Sequence, residues 1–211
     1  MLSTSTYLSC ASADPAATFP CACLPAYCMP QKHIGERGLF RLSGLASSIK
    51  SAWADLAAGA TVDWLGLGPH VVTGIIKLYL RSRSTSLLSA TVVDGMAGVT
   101  APCDRHQASA SATLFNALPA ADLDVAKILF TVLQAVANSP AAAMDAKNLA
   151  IAIGVSLTPK GNGTMTEALA VKARVVPIIT FIITNHRALG LVEEHTPRCL
   201  IHTSSCKQTW C

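Results

Sequence analysis

The stretch Asp122–Ala137, reading DLDVAKILFTVLQAVA, decides the fold class. Leu129, Val132, Leu133 and Val136 recur at steps of three and four. That is the period of one helix face, not the alternation of a strand. Pro119 stands near its start, where a missing N–H costs a helix little. The same period extends outward on both sides. Toward the N-terminus, Leu45, Ile49, Trp53 and Leu56 mark one buried face, with Ser43 and Gly44 positioned to begin that helix. Val71, Val72, Ile75, Ile76 and Tyr79 mark another. The glycine-rich run Asp63–Pro69 reads as a loop and Ser82–Ser86 as a polar break. Toward the C-terminus, Ala142–Ser156 and Thr166–His186 read as helices separated by Gly161-Asn162-Gly163, with Pro177 expected to kink or split the last. Strand-like alternation is short and sparse, and no internal repeat is visible. The expected fold is all-α, with Leu45, Ile49, Ile75, Ile76, Leu129, Leu133, Leu149, Ile151 and Ile182 in its core.

Composition agrees. Hydrophobic residues make up 51% of the 211 and charged ones 13%, but much of the apolar excess is alanine, the best helix former. A net charge of +4, without a dense basic stripe interleaved with aromatics, argues against a nucleic-acid binder. No run of about 18 apolar residues is present, so no transmembrane segment is expected. Residues 1–12 lack the basic start and apolar centre of a secretory signal. Of eight cysteines, only Cys103 lies between residues 29 and 198, so no disulfide framework runs through the expected core and a reduced, cytoplasmic setting is the simpler reading. Residues 1–32, with Pro15, Pro20, Pro25 and Pro30, are expected to be an irregular lead; 33–190 the helical domain; and 191–211 an irregular tail.

Three local patterns carry candidate chemistry. Gly38-Leu39-Phe40-Arg41-Leu42-Ser43-Gly44 places one cation among large apolar residues between glycines. Such residues can anchor a loop of special backbone geometry and aim Arg41 outward; the alternative is an arginine snorkelling from a helix start. Lys77 and Arg81, four apart, share a helix face. Like charges at that spacing cost roughly 0.2–0.5 kcal/mol unless an anion lies nearby, so the pair is either a solvated face or a docking face for an acidic partner. Asn148 sits among apolar residues in a helical stretch, where asparagine is disfavoured unless its amide has a partner, internal or external.

In this order the three motifs, Gly-Leu-Phe-Arg-Leu-Ser-Gly, Val-Val-Thr-Gly-Ile-Ile-Lys-Leu-Tyr-Leu-Arg and Asn-Leu-Ala-Ile-Ala-Ile-Gly, resemble the Rho GTPase-activating protein (RhoGAP) domain. The stretch Asn116-Ala117-Leu118-Pro119 and the helix after it add to the likeness, which covers about residues 33 to 190. The resemblance implies a helical domain that binds a GTP-loaded Rho-family small GTPase and speeds its hydrolysis. Arg41 falls on the family's catalytic finger. Lys77 and Arg81 fall on residues that hold the loop and the GTPase surface, and Asn148 on one that contacts the partner or supports the loop. It implies no metal or cofactor of the domain's own, and recruitment to membranes only through the partner. Three features depart from the family. Ser82-Arg83-Ser84-Thr85-Ser86-Leu87 lacks the prolines of the usual turn, Gly154-Val155 stands where Gly-Pro is usual, and only a proline-broken lead precedes Gly38. These departures keep a second reading open, a non-catalytic GTPase-binding scaffold of the same fold. A helical structural protein unrelated to GTPases would explain the composition but not the ordered motifs. His195, Cys199, His202 and Cys206 have zinc-compatible chemistry, but one short segment interrupted by Pro197 rarely supplies all four ligands, so no metal is expected.

Overall fold

The structure is a computed structural model that describes residues 31–58, 60, 62–64, 66–97, 105–158 and 165–191. Among the described residues the chain forms helices and no strand. They are α1 (Gln31–Ile34), α2 (Ala46–Ala57), α3 (Pro69–Ser82), α4 (Ala90–Gly95), α5 (Arg105–Asn116), α6 (Ala120–Ala137), α7 (Ala146–Leu157) and α8 (Met165–Asn185), with a 3-10 turn at Pro140–Ala142 before α7. The main core lies where α3, α6, α7 and α8 meet. It joins Ile76 and Leu80 of α3, Leu129, Phe130 and Leu133 of α6, Leu149 and Ile153 of α7, and Ile179 and Ile182 of α8. A side cluster of Ala52, Leu56 and Ile75 fixes α2 on α3. Each fully buried large apolar side chain contributes about 1.5–3 kcal/mol.

Of the nine expected core residues, Ile75, Ile76, Leu129, Leu133, Leu149 and Ile182 are buried and Ile49 is half-buried. Two expectations fail. Leu45 is 68% exposed because α2 starts one residue later and Leu45 is its N-cap, with extended backbone and no side-chain cap. Ile151 is 40% exposed because the buried stripe of α7 runs through Leu149, Ala150, Ile153 and Leu157 and leaves it on the opposite face.

The helix expected from Ala142 begins instead at Ala146. Ala143 adopts a left-handed φ of 50°, which breaks the helix there, and the Asp145 carboxylate caps the new start by accepting the Asn148 N–H at 2.6 Å. Pro177 does not split α8. It sits on the exposed face, and the carbonyl it leaves without a donor belongs to Ala173, also exposed, where water can take the N–H's place. The helices α1, α4 and α5 were not anticipated. The lead before residue 31, the tail after residue 191, the Gly161-Asn162-Gly163 break and the set His195, Cys199, His202 and Cys206 lie outside the described residues. No described helix is long and apolar enough to cross a membrane.

Candidate functional site

The loop of residues 38–44 is built by burying what surrounds Arg41. Leu39 and Phe40 are fully buried, while Arg41 is exposed. Gly38 opens the turn at φ 73°, a conformation glycine adopts freely. Its carbonyl accepts the N–H groups of Arg41 and Leu42, both at 2.9 Å, and its own N–H donates to the Ala142 carbonyl at 2.8 Å. Phe40 holds φ 66°, which costs a bulky residue on the order of 1–3 kcal/mol. Burial of its ring offsets that cost. The reversal at Phe40 turns the next side chain, Arg41, away from the core. At the far end, Gly44 lies against the first turn of α3. A Cβ there would stand 2.5 Å from the Val71 amide nitrogen, so only glycine allows this approach.

Lys77 completes the support. Its ammonium donates to the Phe40 carbonyl at 3.0 Å, across 37 residues of sequence. The side chain is half-buried, and its pKa is lowered, first by desolvation and then by the Arg81 charge. Lys77 is therefore mainly a loop anchor, whereas Arg81, one turn on, is exposed. Arg81 also lies in the last turn of α3, where a cation complements the helix dipole.

Asn148 is exposed in the first turn of α7. Its backbone N–H is capped by Asp145, and its exposed side-chain amide can hydrogen-bond water, so the asparagine is tolerated there. Among the described residues its side-chain amide makes no hydrogen bond to the arginine loop. The two are linked indirectly, because Ala142, just before α7, holds Gly38. The structure thus ties Lys77 to the loop that carries Arg41, leaves Arg81 one turn further along α3, and sets Asn148 on the helix packed against α3. Ile151 and Val155, the latter 74% exposed, follow Asn148 by three and seven residues. That spacing puts all three on one face of α7. Ile151 reads as core from the sequence; only the exposed face of α7 reveals it, together with Val155, as surface.

Sequence reading also missed what holds the far end of α3. Arg83 pairs with the Asp122 carboxylate in the first turn of α6, donates to the Tyr79 hydroxyl at 3.1 Å and lies 5.7 Å from the centre of its ring. Burial works to lower the Arg83 pKa, but Tyr79 and Asp122 together outweigh it and raise it. This brace stands where the sequence lacks a proline turn. No group of three metal-ligating side chains occurs among the described residues.

The RhoGAP domain model matches residues 26–162. Rho GTPase-activating protein gacZ of Dictyostelium discoideum is 31% identical over 133 residues, covering 60% of this chain and 13% of that protein. Rho GTPase-activating protein 68F of Drosophila melanogaster is 24% identical over 163 residues, covering 76% and 34%. The chain therefore spans a minor part of these relatives. Two solved structures share the fold at 20% identity. Human Rho GTPase activating protein 15 matches with a TM-score of 0.63 over 74% of this chain and 76% of that one. The BH domain from GRAF, the GTPase regulator associated with focal adhesion kinase, matches with 0.66 over 83% and 96%. Because the family model takes in more than half of the chain and the helical fold agrees, this protein belongs to the RhoGAP domain family.

Proposed function

We propose that the protein binds a GTP-loaded Rho-family small GTPase and stimulates hydrolysis by inserting Arg41 in trans. The observation that carries this reading is the exposed Arg41 on a loop whose neighbours Leu39 and Phe40 are wholly buried and whose Phe40 carbonyl is held by Lys77. In phosphoryl transfer, charge spreads over the transferring oxygens, and a cation fixed in advance stabilises it without reorganising during the reaction. A guanidinium suits this role because it stays protonated and offers planar, bidentate donors. Such a finger is worth roughly 10³- to 10⁵-fold in rate. Arg81 and Asn148 face the partner, and Ile151 with Val155 supply an apolar strip beside them. The protein acts in the cytoplasm, at whatever membrane its partner occupies.

Single-turnover GTP hydrolysis with a panel of Rho-family GTPases tests the reading. Arg41→Ala should lose most of the stimulation, about 10³-fold, yet keep affinity for the GTP-bound partner. Arg41→Lys should also be poor. Full stimulation by Arg41→Ala would leave the scaffold reading, provided binding persists.

A further inference from the structure

The segment Arg81-Ser82-Arg83-Ser84-Thr85-Ser86 sets an arginine three positions ahead of both Ser84 and Ser86. The structure separates these hydroxyls. Ser82 donates to the Tyr79 carbonyl at 2.8 Å and Ser86 to the Leu88 carbonyl at 3.2 Å, and both are half-buried. Ser84 lies in a bend just past the end of α3, is exposed, and has no side-chain hydrogen bond among the described residues. The preceding arginines differ as well. Arg83, ahead of Ser86, is committed to Asp122 and Tyr79, whereas Arg81, ahead of Ser84, is exposed. A cavity of about 370 Å³ opens beside the bend, lined by Arg81, Ser84, Ser86, Ser89 and Thr158 among others.

We propose that Ser84 is a phosphorylation site for an arginine-directed protein kinase, and that the resulting phosphate settles against Arg81 in this cavity. In the transfer, the Ser84 Oγ bonds to the γ-phosphorus of ATP, the bond from that phosphorus to the β–γ bridging oxygen breaks, ADP leaves, and the hydroxyl proton passes to the kinase's base. Arg81 lies within the last turn of α3, so fraying of that turn lets a kinase grip Arg81 and Ser84 in one extended segment. The phosphate adds a charge of about −1.5 to −2 and three acceptor oxygens. Arg81 supplies the countercharge, and nearby hydroxyls supply donors. The regulatory consequence rests on the docking reading above: Arg81 is diverted from the GTPase, and the new negative charge repels an acidic partner surface.

The test uses the full chain, ATP and an arginine-directed kinase, with the modified residue mapped by mass spectrometry. One phosphate is expected on Ser84, absent in Ser84→Ala and strongly reduced in Arg81→Ala. No incorporation, or phosphate confined to other hydroxyls, overturns the site. A phosphorus NMR titration reads its surroundings. A second phosphate pKa below the ordinary value of about 6 supports the contact with Arg81, and an ordinary value overturns it. The phosphorylated chain should bind a GTP-loaded Rho-family GTPase about tenfold more weakly, while unmodified Ser84→Ala binds as the parent does. Equal affinity overturns the regulatory consequence. If the unmodified chain binds no GTPase, the docking reading fails, and the mapping still decides the modification.

Discussion

The two ends of α3 are held by different physics. At its start, helix and arginine loop meet by close fit, with Gly44 against the Val71 backbone and Leu39 and Phe40 sealed in the core. At its end, a charged brace, Arg83 with Asp122 and Tyr79, ties the bend to α6, and polar residues surround it. A steric fit has one solution and ignores salt. An ion pair admits more geometries and weakens with ionic strength. The fixed end carries the residue proposed to do chemistry, and the adjustable end carries the proposed control.

The largest effect that could break this contrast is at the steric end. Gly44→Ala should lose roughly 2–3 kcal/mol of stability in urea unfolding, with GTPase stimulation lost alongside. Ser84→Ala at the other end should change stability by less than about 0.5 kcal/mol. Equal responses would show that the fit at Gly44 is not demanding.

The next effect separates two cations on one helix. Lys77→Met removes the anchor of the Phe40 carbonyl, so the stimulated rate should fall about 10- to 100-fold with a smaller change in affinity. Arg81→Glu should instead weaken binding and change its salt dependence while sparing the maximal rate. If both variants alter affinity alone, Lys77 contacts the partner rather than the loop.

A third effect concerns the brace. The Arg83 and Asp122 side chains are 13% and 14% exposed, between a surface pair and a buried one. Asp122→Ala should therefore cost about 2 kcal/mol, and the parent's advantage should shrink in high salt. An unchanged melting temperature would remove the brace from the account.

The smallest effect is a pH dependence. His186 is 2% exposed and its Nδ1 has no hydrogen-bond partner among the described residues; its pKa is lowered by desolvation and then by Arg187. Above the unfolded value near 6.5 both states are neutral there. As pH falls through that value the unfolded chain takes up the proton first, so stability drops until the folded pKa is reached. His186→Leu should flatten that decline in melting temperature between neutral and mildly acidic pH.

How much was readable beforehand follows from these interactions. Helices α2, α3, α6, α7 and α8 showed in the sequence because each buries an apolar face with a clear period. The helix α5 did not: QASASATLFN carries few apolar residues, and alanine and serine leave no period to read. Helix α4 is six residues long, too short for one. Leu45 and Ile151 were placed in the core because hydrophobicity does not distinguish an internal face from an exposed one. The positions of Arg41, Lys77, Arg81 and Asn148 were legible through ordered motifs. That Lys77 holds the loop came with the resemblance; that it does so through the Phe40 carbonyl did not, because this depends on a left-handed Phe40 that no residue pattern announces. The Arg83–Asp122 pair bridges 39 residues and has no local signature.

The bond from Gly38 to Ala142 joins points 104 residues apart (142 minus 38). Closing so long a loop is entropically uphill until the elements between have packed. A chain synthesised from its N-terminus displays Gly38 to Gly44 well before Ala142 exists. The arginine motif is therefore made well before the contact that completes its shape. Nascent chains released before the turn at Pro140–Ala142 would carry the motif without its geometry, which couples the timing of competence to the completion of the fold rather than to the appearance of the residues themselves.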